Sequence, residues 1–171
     1  MTDRLARIRL LILDVDGVMT DGRIVYDANG IETKFFNVKD GHGIKMLQRG
    51  GVEVAIISGR DSMVTANRAR ELGIQLVFLH ATDKLAAYSK MLSQTGLSND
   101  EIAFMGDDLI DIPVLRRVGF SAAPADAIDE VREIVHYVAR NRGGWGAVRE
   151  VTDMILKAKG LWGEVTDRYY R

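Results

Sequence analysis

Four short stretches of this chain place acids, a hydroxyl and a lysine where they could act together on a charged substrate. The first is Asp14-Val15-Asp16-Gly17-Val18, directly after the apolar run Leu10 to Leu13. Alternate residues of an extended chain face the same way, so both acids can enter one crevice while Val15 turns back into packing. At about 4 Å and a surface-like dielectric two carboxylates repel by roughly 4 kcal/mol. Such a pair shares a metal ion, shares a proton or serves catalysis, although on its own it also fits a solvated acidic turn. Ser58-Gly59-Arg60 follows Val54 to Ile57; it offers a hydroxyl and a pliant backbone to a phosphoryl oxygen, or forms a plain turn. Lys84 follows Thr82-Asp83, which caps a helix over Lys84 to Thr95. A cation in that first turn opposes the helix dipole, and a bound anion would relieve it. Finally Gly106-Asp107-Asp108-Leu109-Ile110-Asp111 follows Ile102 to Met105. Oxygen-only donors at such a place suit Mg²⁺.

These residues need a scaffold that brings strand ends together. Short apolar runs alternate with longer amphipathic stretches, which indicates an α/β fold: a Rossmann-like parallel sheet with flanking helices. Strands are expected at Leu10 to Leu13, Val52 to Ile57, Leu76 to Leu79, Ile102 to Met105, Phe120 to Ala122 and His136 to Val138. Gly73 and Gly96 read as left-handed caps that close helices. A further helix is expected around Gly43 to Arg49. Gly41-His42-Gly43 before it reads as a flexible junction, with a phosphate nest as the weaker alternative.

The stretch from about Arg23 to Asn37 is rich in Ile, Val, Tyr, Thr and Phe around Asp27-Ala28-Asn29-Gly30, a β-hairpin pattern. It is too short for a separate cap domain, so one domain over residues 1–171 is expected. Its apolar residues Ile24, Tyr26, Phe35 and Phe36 need covering, either by a second copy or by the hairpin's own domain. Val148, Val151, Ile155 and Ala158 recur at helical spacing, so a helix from about Ala147 to Lys159 should pack on the domain. The Gly143-Gly144-Trp145-Gly146 loop and the tail over 161–171 are expected to be free to reach a neighbouring subunit, with a disordered tail as the alternative.

The chain carries 23 basic and 24 acidic residues for a formal net charge of −1, which gives no general attraction to nucleic acid or to an acidic membrane. Its apolar runs are too short to cross a bilayer. It has no cysteine, so there is no disulfide framework and no thiolate zinc site; this fits a reducing cytoplasm. The absence of a Walker-type loop or a Cys/His cluster removes nucleoside triphosphatase and zinc-hydrolase readings.

Taken together, Asp-x-Asp-Gly-Val, Ser-Gly-Arg, the lone lysine and Gly-Asp-Asp-x-x-Asp resemble the four motifs of the haloacid dehalogenase superfamily of phosphohydrolases. Asp14 to Gly22, the hairpin insert, the Gly106 to Asp111 loop and Gly146-Ala147-Val148-Arg149-Glu150 further resemble its 3-deoxy-D-manno-octulosonate 8-phosphate phosphatase family. The resemblance implies that Asp14 is the nucleophile, Asp16 the general acid and base, and Ser58 and Lys84 the phosphate cradle. It implies Mg²⁺ on Asp14, the backbone carbonyl of Asp16 and Asp107, with Asp108 and Asp111 behind them. Arg60 and Arg68, beside Gly59 and Ser58, are candidates for a sugar-acid carboxylate, since arginine suits planar bidentate recognition. The implied substrate is a sugar-acid phosphate, either octulosonate 8-phosphate or a nonulosonate 9-phosphate, and the implied assembly is a homotetramer. A signalling receiver domain is the competing reading from another class, but its phosphoacceptor acid would belong where Ser58 stands. A non-catalytic scaffold is the third.

Overall fold

The apolar runs become strands because helices cover both of their faces. The computed structural model describes residues 1–171. In chain order its elements are α1 (Thr2–Arg7), β1 (Leu10–Leu13), β2 (Val25–Tyr26), β3 (Glu32–Thr33), α2 (Val38–Arg49), β4 (Glu53–Ile57), α3 (Met63–Leu72), β5 (Leu76–Phe78), α4 (Lys84–Thr95), β6 (Ile102–Met105), α5 (Ile112–Leu115), β7 (Phe120–Ala123), α6 (Asp129–Arg132), β8 (Tyr137–Val138), α7 (Ala147–Ala158) and α8 (Trp162–Thr166). Six strands form one parallel sheet in the order β5-β4-β1-β6-β7-β8, and β2 and β3 form a separate antiparallel pair. No cap domain is present.

Alternation along the strands splits the core in two. Leu11, Leu13, Ile56 and Met105 pack on one face with Leu5 of α1, Leu47 of α2 and Val151 of α7. Leu10, Ile12, Ile57 and Phe104 pack on the other with Tyr88 of α4 and Leu115 of α5. Each such side chain contributes roughly 1.5–3 kcal/mol by leaving water. The chain winds outward from β1 through β4 to β5, then crosses to β6 on the other side. The crevice above the carboxyl ends of β1 and β6 is therefore a topological switch point, where such sheets bind ligands. Leu13 is in register with both Ile56 and Met105, which brings the loops after all three strands to one edge.

Gly73 and Gly96 close α3 and α4 with φ of 71° and 67°, as their positions require. The helix expected from Gly43 starts earlier, because the Asn37 side chain accepts hydrogen bonds from the Lys39 and Asp40 amides at 2.8 and 3.4 Å. Gly41-His42-Gly43 thus lies inside α2, and neither a junction nor a nest forms there. A Cβ at Gly43 would stand 2.4 Å from Thr152 Oγ1, and one at Gly41 2.4 Å from an Arg68 guanidinium nitrogen. The glycines serve close packing of α2 on α7 and α3.

Two further expectations are corrected. Val165 and Thr166 in the tail are buried, and the Tyr169 hydroxyl accepts a hydrogen bond from Arg49 at 2.6 Å and pairs with His42 at 2.9 Å. The tail is docked on its own α2. In the glycine-rich loop, the Gly144 amide donates to the Val18 carbonyl at 3.0 Å and the Gly143 amide to Asp126 at 2.9 Å. A Cβ at Gly143 would sit 1.7 Å from the Gly17 carbonyl oxygen, so the loop is pinned against the turn that carries Asp14 and Asp16. Val148, Val151 and Ile155 of α7 are buried as expected, and Ala158 is half-buried. No helix is long and apolar enough to cross a membrane.

The hairpin is shorter than its sequence pattern, with two paired residues per strand. Asp27 ties its turn by accepting from the Asn29 and Ile31 amides at 2.9 and 2.8 Å. Its alternation is inverted relative to a normal amphipathic strand. Ile31, Thr33 and Phe35 face solvent, while Glu32, Lys34 and Phe36 are turned inward.

Candidate active site

Asp14 extends β1 by one residue, its amide donating to the Met105 carbonyl of β6 at 3.0 Å. Lys84 enters from the first turn of α4, capped by Asp83. Far from being an exposed first-turn lysine, it is buried, with its ammonium 2.7 Å from Asp14 and 2.6 Å from Asp111. The other Asp111 oxygen accepts from the Asp107 and Asp108 amides at 3.0 and 3.2 Å, which bends the loop after β6 inward. Two glycines permit the crowding. A Cβ on Gly106 would fall 2.5 Å from Asp111 Cγ, and one on Gly17, at φ 91°, would fall 2.0 Å from Asp107 Oδ2.

Three carboxylates, Asp14, Asp107 and Asp111, present oxygens within 4.8 Å of one another against the single ammonium of Lys84. The protein therefore leaves an excess of two negative charges there when all are ionised. Burial first, and then the neighbouring carboxylates, push Asp14 up to about 6 and Asp107 up to about 8, despite the opposing pull of Lys84. Burial lowers the Lys84 ammonium, but Asp14 and Asp111 outweigh it and the net shift is upward. Asp107 Oδ1 is buried with no hydrogen-bond partner. A buried, unpaired carboxylate oxygen beside a charge excess of two fits a divalent, oxygen-loving cation such as Mg²⁺. Asp14 and Asp107 have free coordinating capacity, whereas both Asp111 oxygens are already engaged. Asp111 thus positions Lys84 and the loop.

The Asp16 side chain is turned away from this cluster into a second group. One of its oxygens is ion-paired with Lys34 and the other lies 3.6 Å from Arg60 Nε. Glu32 accepts from Arg60 at 2.9 Å and from the Ser62 hydroxyl, and is 3.3 Å from the Lys34 ammonium. Tyr26 accepts from the same Arg60 nitrogen at 2.8 Å. When all four are ionised, two anions and two cations balance here, whereas the first group keeps its excess of two. Ser58 is buried at the end of β4, its amide donating to the Phe78 carbonyl at 2.9 Å and its hydroxyl accepting from the Arg60 amide at 3.4 Å. A Cβ at Gly59, between them in the chain, would make only ordinary contact with Ile110 and the Ala81 carbonyl, at 3.8 and 3.9 Å.

The structure thus brings together Asp14, Lys84, Asp107 and Asp111 in one group and Asp16 with Arg60 in the next. It does not bring Arg68 or Asp108 into either. Arg68 pairs with Glu71 at 2.8 Å, stacks over Phe36 and presses on Gly41. Asp108 is exposed and caps the turn at Leu109, accepting from its amide at 2.7 Å. Lys34, Glu32 and Tyr26 are site residues that sequence reasoning missed. The signal was available in the strict alternation from Ile31 to Phe35, which puts Glu32 and Lys34 on one face. Asp40 was also missed; it is buried, accepts from the Gly146 and Arg149 amides at 3.3 and 2.7 Å, and locks the N-terminus of α7 to α2.

The chain is similar to proteins of known family along most of its length. Residues 77–150 match the family model of haloacid dehalogenase-like hydrolases. The chain is 49% identical over 145 residues to 3-deoxy-D-manno-octulosonate 8-phosphate phosphatase of Yersinia pestis, covering 85% of this chain and 78% of that one. It is 45% identical over 147 residues to the Haemophilus influenzae enzyme of the same name, covering 86% and 82%. The crystal structure of the Moraxella catarrhalis enzyme of that name, in complex with magnesium ion, phosphate ion and a KDO molecule, superposes with a TM-score of 0.96 at 36% identity, over 98% of this chain and 97% of that one. A receiver domain and a bare scaffold are thereby set aside. With its two acidic loops meeting at the β1/β6 switch point and these similarities across its length, this chain belongs to the haloacid dehalogenase-like hydrolases, in the family of the 3-deoxy-D-manno-octulosonate 8-phosphate phosphatases.

Proposed function

We propose that this protein hydrolyses the phosphate monoester of 3-deoxy-D-manno-octulosonate 8-phosphate, in the cytoplasm and with Mg²⁺, as part of lipopolysaccharide-precursor synthesis. The observation that carries the reading is the buried Asp14–Lys84–Asp107–Asp111 cluster at the switch point of a chain nearly half identical to phosphatases of that name. Arg60 supports the choice of a sugar acid, because its partly exposed guanidinium stands next to Asp16. Arg60 suits the substrate carboxylate better than Arg68 because it lies at the site beside Asp16, whereas Glu71 and Phe36 hold Arg68 away from it.

Asp14 is the nucleophile. Its carboxylate oxygen bonds to phosphorus as the bond from phosphorus to the sugar oxygen breaks, and Asp16 gives its proton to that departing oxygen. Water then attacks the phosphorus of the aspartyl phosphate, Asp16 takes the water's proton, and Asp14 is released as a carboxylate. Lys84, already oriented by Asp111, faces the charge that gathers on the phosphoryl oxygens, with the Ser58 hydroxyl completing the cradle. Asp14, Asp107 and the Asp16 carbonyl would hold Mg²⁺, which when bound supplies the positive charge that lets a phosphate anion approach Asp14.

Assembly belongs to the same reading. A fold without a cap leaves its crevice open, and Ile31 and Phe35 stand exposed on the outer face of the hairpin. Burying them against further copies of the chain in a homotetramer would cover both. A phosphate-release screen across octulosonate 8-phosphate, a nonulosonate 9-phosphate and simple hexose phosphates tests the substrate. The octulosonate should lead in kcat/KM; equal rates on hexose phosphates would overturn the sugar-acid assignment.

A further inference from the structure

The inward face of the hairpin places a buried lysine against the proposed acid and base. Lys34 has a side chain only 1% exposed, and its ammonium has two carboxylate partners, Asp16 and Glu32. Lysines are almost never this buried unless paired. The alternation from Ile31 to Phe35 turns Ile31 and Phe35 outward, which costs solvation, and Glu32 and Lys34 inward toward one target. Glu32 is itself held from two more sides, by Arg60 and by Ser62. The result is a braced strut from the hairpin to Asp16, whose carboxylate stands apart from Lys84 and Asp107.

We propose that Lys34, braced by Glu32, is a positioning residue that holds the Asp16 carboxyl beside, rather than within, the Asp14–Asp107 cluster, where it can meet the departing sugar oxygen. The proposal rests on Asp16 being the general acid and base. An acid that donates a proton must lie within hydrogen-bond reach of the leaving oxygen and off the path of the nucleophile. Asp16 sits two residues after Asp14 on a turn opened by Gly17, and without a second anchor its carboxylate could swing into the shared cation site. Lys34 supplies that anchor. The hairpin thereby contributes to catalysis from within its own chain, independently of any neighbouring subunit.

The test compares two leaving groups. A sugar or other alkyl phosphate needs its departing oxygen protonated, whereas 4-nitrophenyl phosphate departs as a stable phenolate. Lys34→Met should cut kcat on octulosonate 8-phosphate by roughly 100-fold or more, within the range general acid catalysis supplies. It should cut kcat on 4-nitrophenyl phosphate by less than about tenfold, on the same scale, with KM little changed. Lys34→Arg should restore part of the alkyl rate, and Glu32→Gln, which keeps an acceptor for Ser62 but loses the charge, should show the same split more weakly. If Lys34→Met does not fold, as judged by circular dichroism, the other two variants carry the comparison. Equal losses on the two substrates, or none, would overturn the proposal. Asp16→Asn is the reference: if it shows the split and the Lys34 and Glu32 variants do not, the strut is wrong and the mechanism stands, whereas if Asp16→Asn shows no split, the reading of Asp16 itself fails.

Discussion

Replacing Lys84 by methionine removes the only protein cation from a site with three carboxylates. The ammonium lies 2.7 Å from Asp14 and 2.6 Å from Asp111. At an effective dielectric near 20, each attraction is roughly 6 kcal/mol, and the cost of burying the ammonium takes back the greater part. Breaking a buried pair of this kind costs about 3–5 kcal/mol in practice. For a chain of this length that corresponds to a fall of about 6–20 °C in Tm. The assay is urea unfolding of both proteins with chelator present, at pH 8 and at pH 5. Asp14 and Asp107 are raised in the folded state to about 6 and about 8. The stability these two groups contribute is therefore full below the ordinary carboxylate range and lost as pH rises through those values. Without Lys84 the repulsion is stronger, so the deficit of the variant should be largest at pH 8 and shrink at pH 5, where both acids take up protons. Added Mg²⁺ should recover part of it at pH 8. A loss under about 1 kcal/mol, or one that grows as the pH falls, would refute the view of Lys84 as the counter-charge of this cluster.

Asp107→Asn should raise the Tm of metal-free protein at pH 8 by roughly 2–5 °C, because a repelled buried charge is removed, and should weaken stabilisation by Mg²⁺; thermal scans with and without the metal check both. Gly17→Ala combines a left-handed φ of 91° with a Cβ 2.0 Å from Asp107 Oδ2, so about 2 kcal/mol or more of stability should be lost in urea, together with most activity. Arg60→Ala should lower kcat/KM at least tenfold for the sugar-acid phosphate, on the scale of a lost charge-assisted pair, and less for an uncharged sugar phosphate.

The strands were legible because they are short apolar runs, three of which end in polar residues with chemistry, at Leu13-Asp14, Ile57-Ser58 and Met105-Gly106-Asp107. Local signals also placed Gly73, Gly96 and the start of α4 at Lys84. What was not legible depends on partners far away in the chain. Gly41 and Gly43 look like a flexible joint until Arg68 is brought against the first and Thr152 against the second. The tail looks free until Tyr169 meets His42 and Arg49, more than a hundred residues earlier. Lys34 looks like any hairpin lysine until the fold sets Asp16 above it. Arg68, two turns along α3 from Ser62, reads as reaching the crevice, but Phe36 and Glu71 hold it elsewhere.

The central claim is that this chain is a phosphatase whose nucleophile is Asp14. Its most direct test is inorganic phosphate release from 3-deoxy-D-manno-octulosonate 8-phosphate with Mg²⁺ present, measured side by side for the wild-type protein and for Asp14→Asn. The amide keeps the shape of the carboxylate but cannot attack phosphorus, so the wild type should turn over and the folded variant should release no phosphate above the uncatalysed rate. Wild-type protein that releases none, or an Asp14→Asn variant that keeps the wild-type rate, would contradict the account.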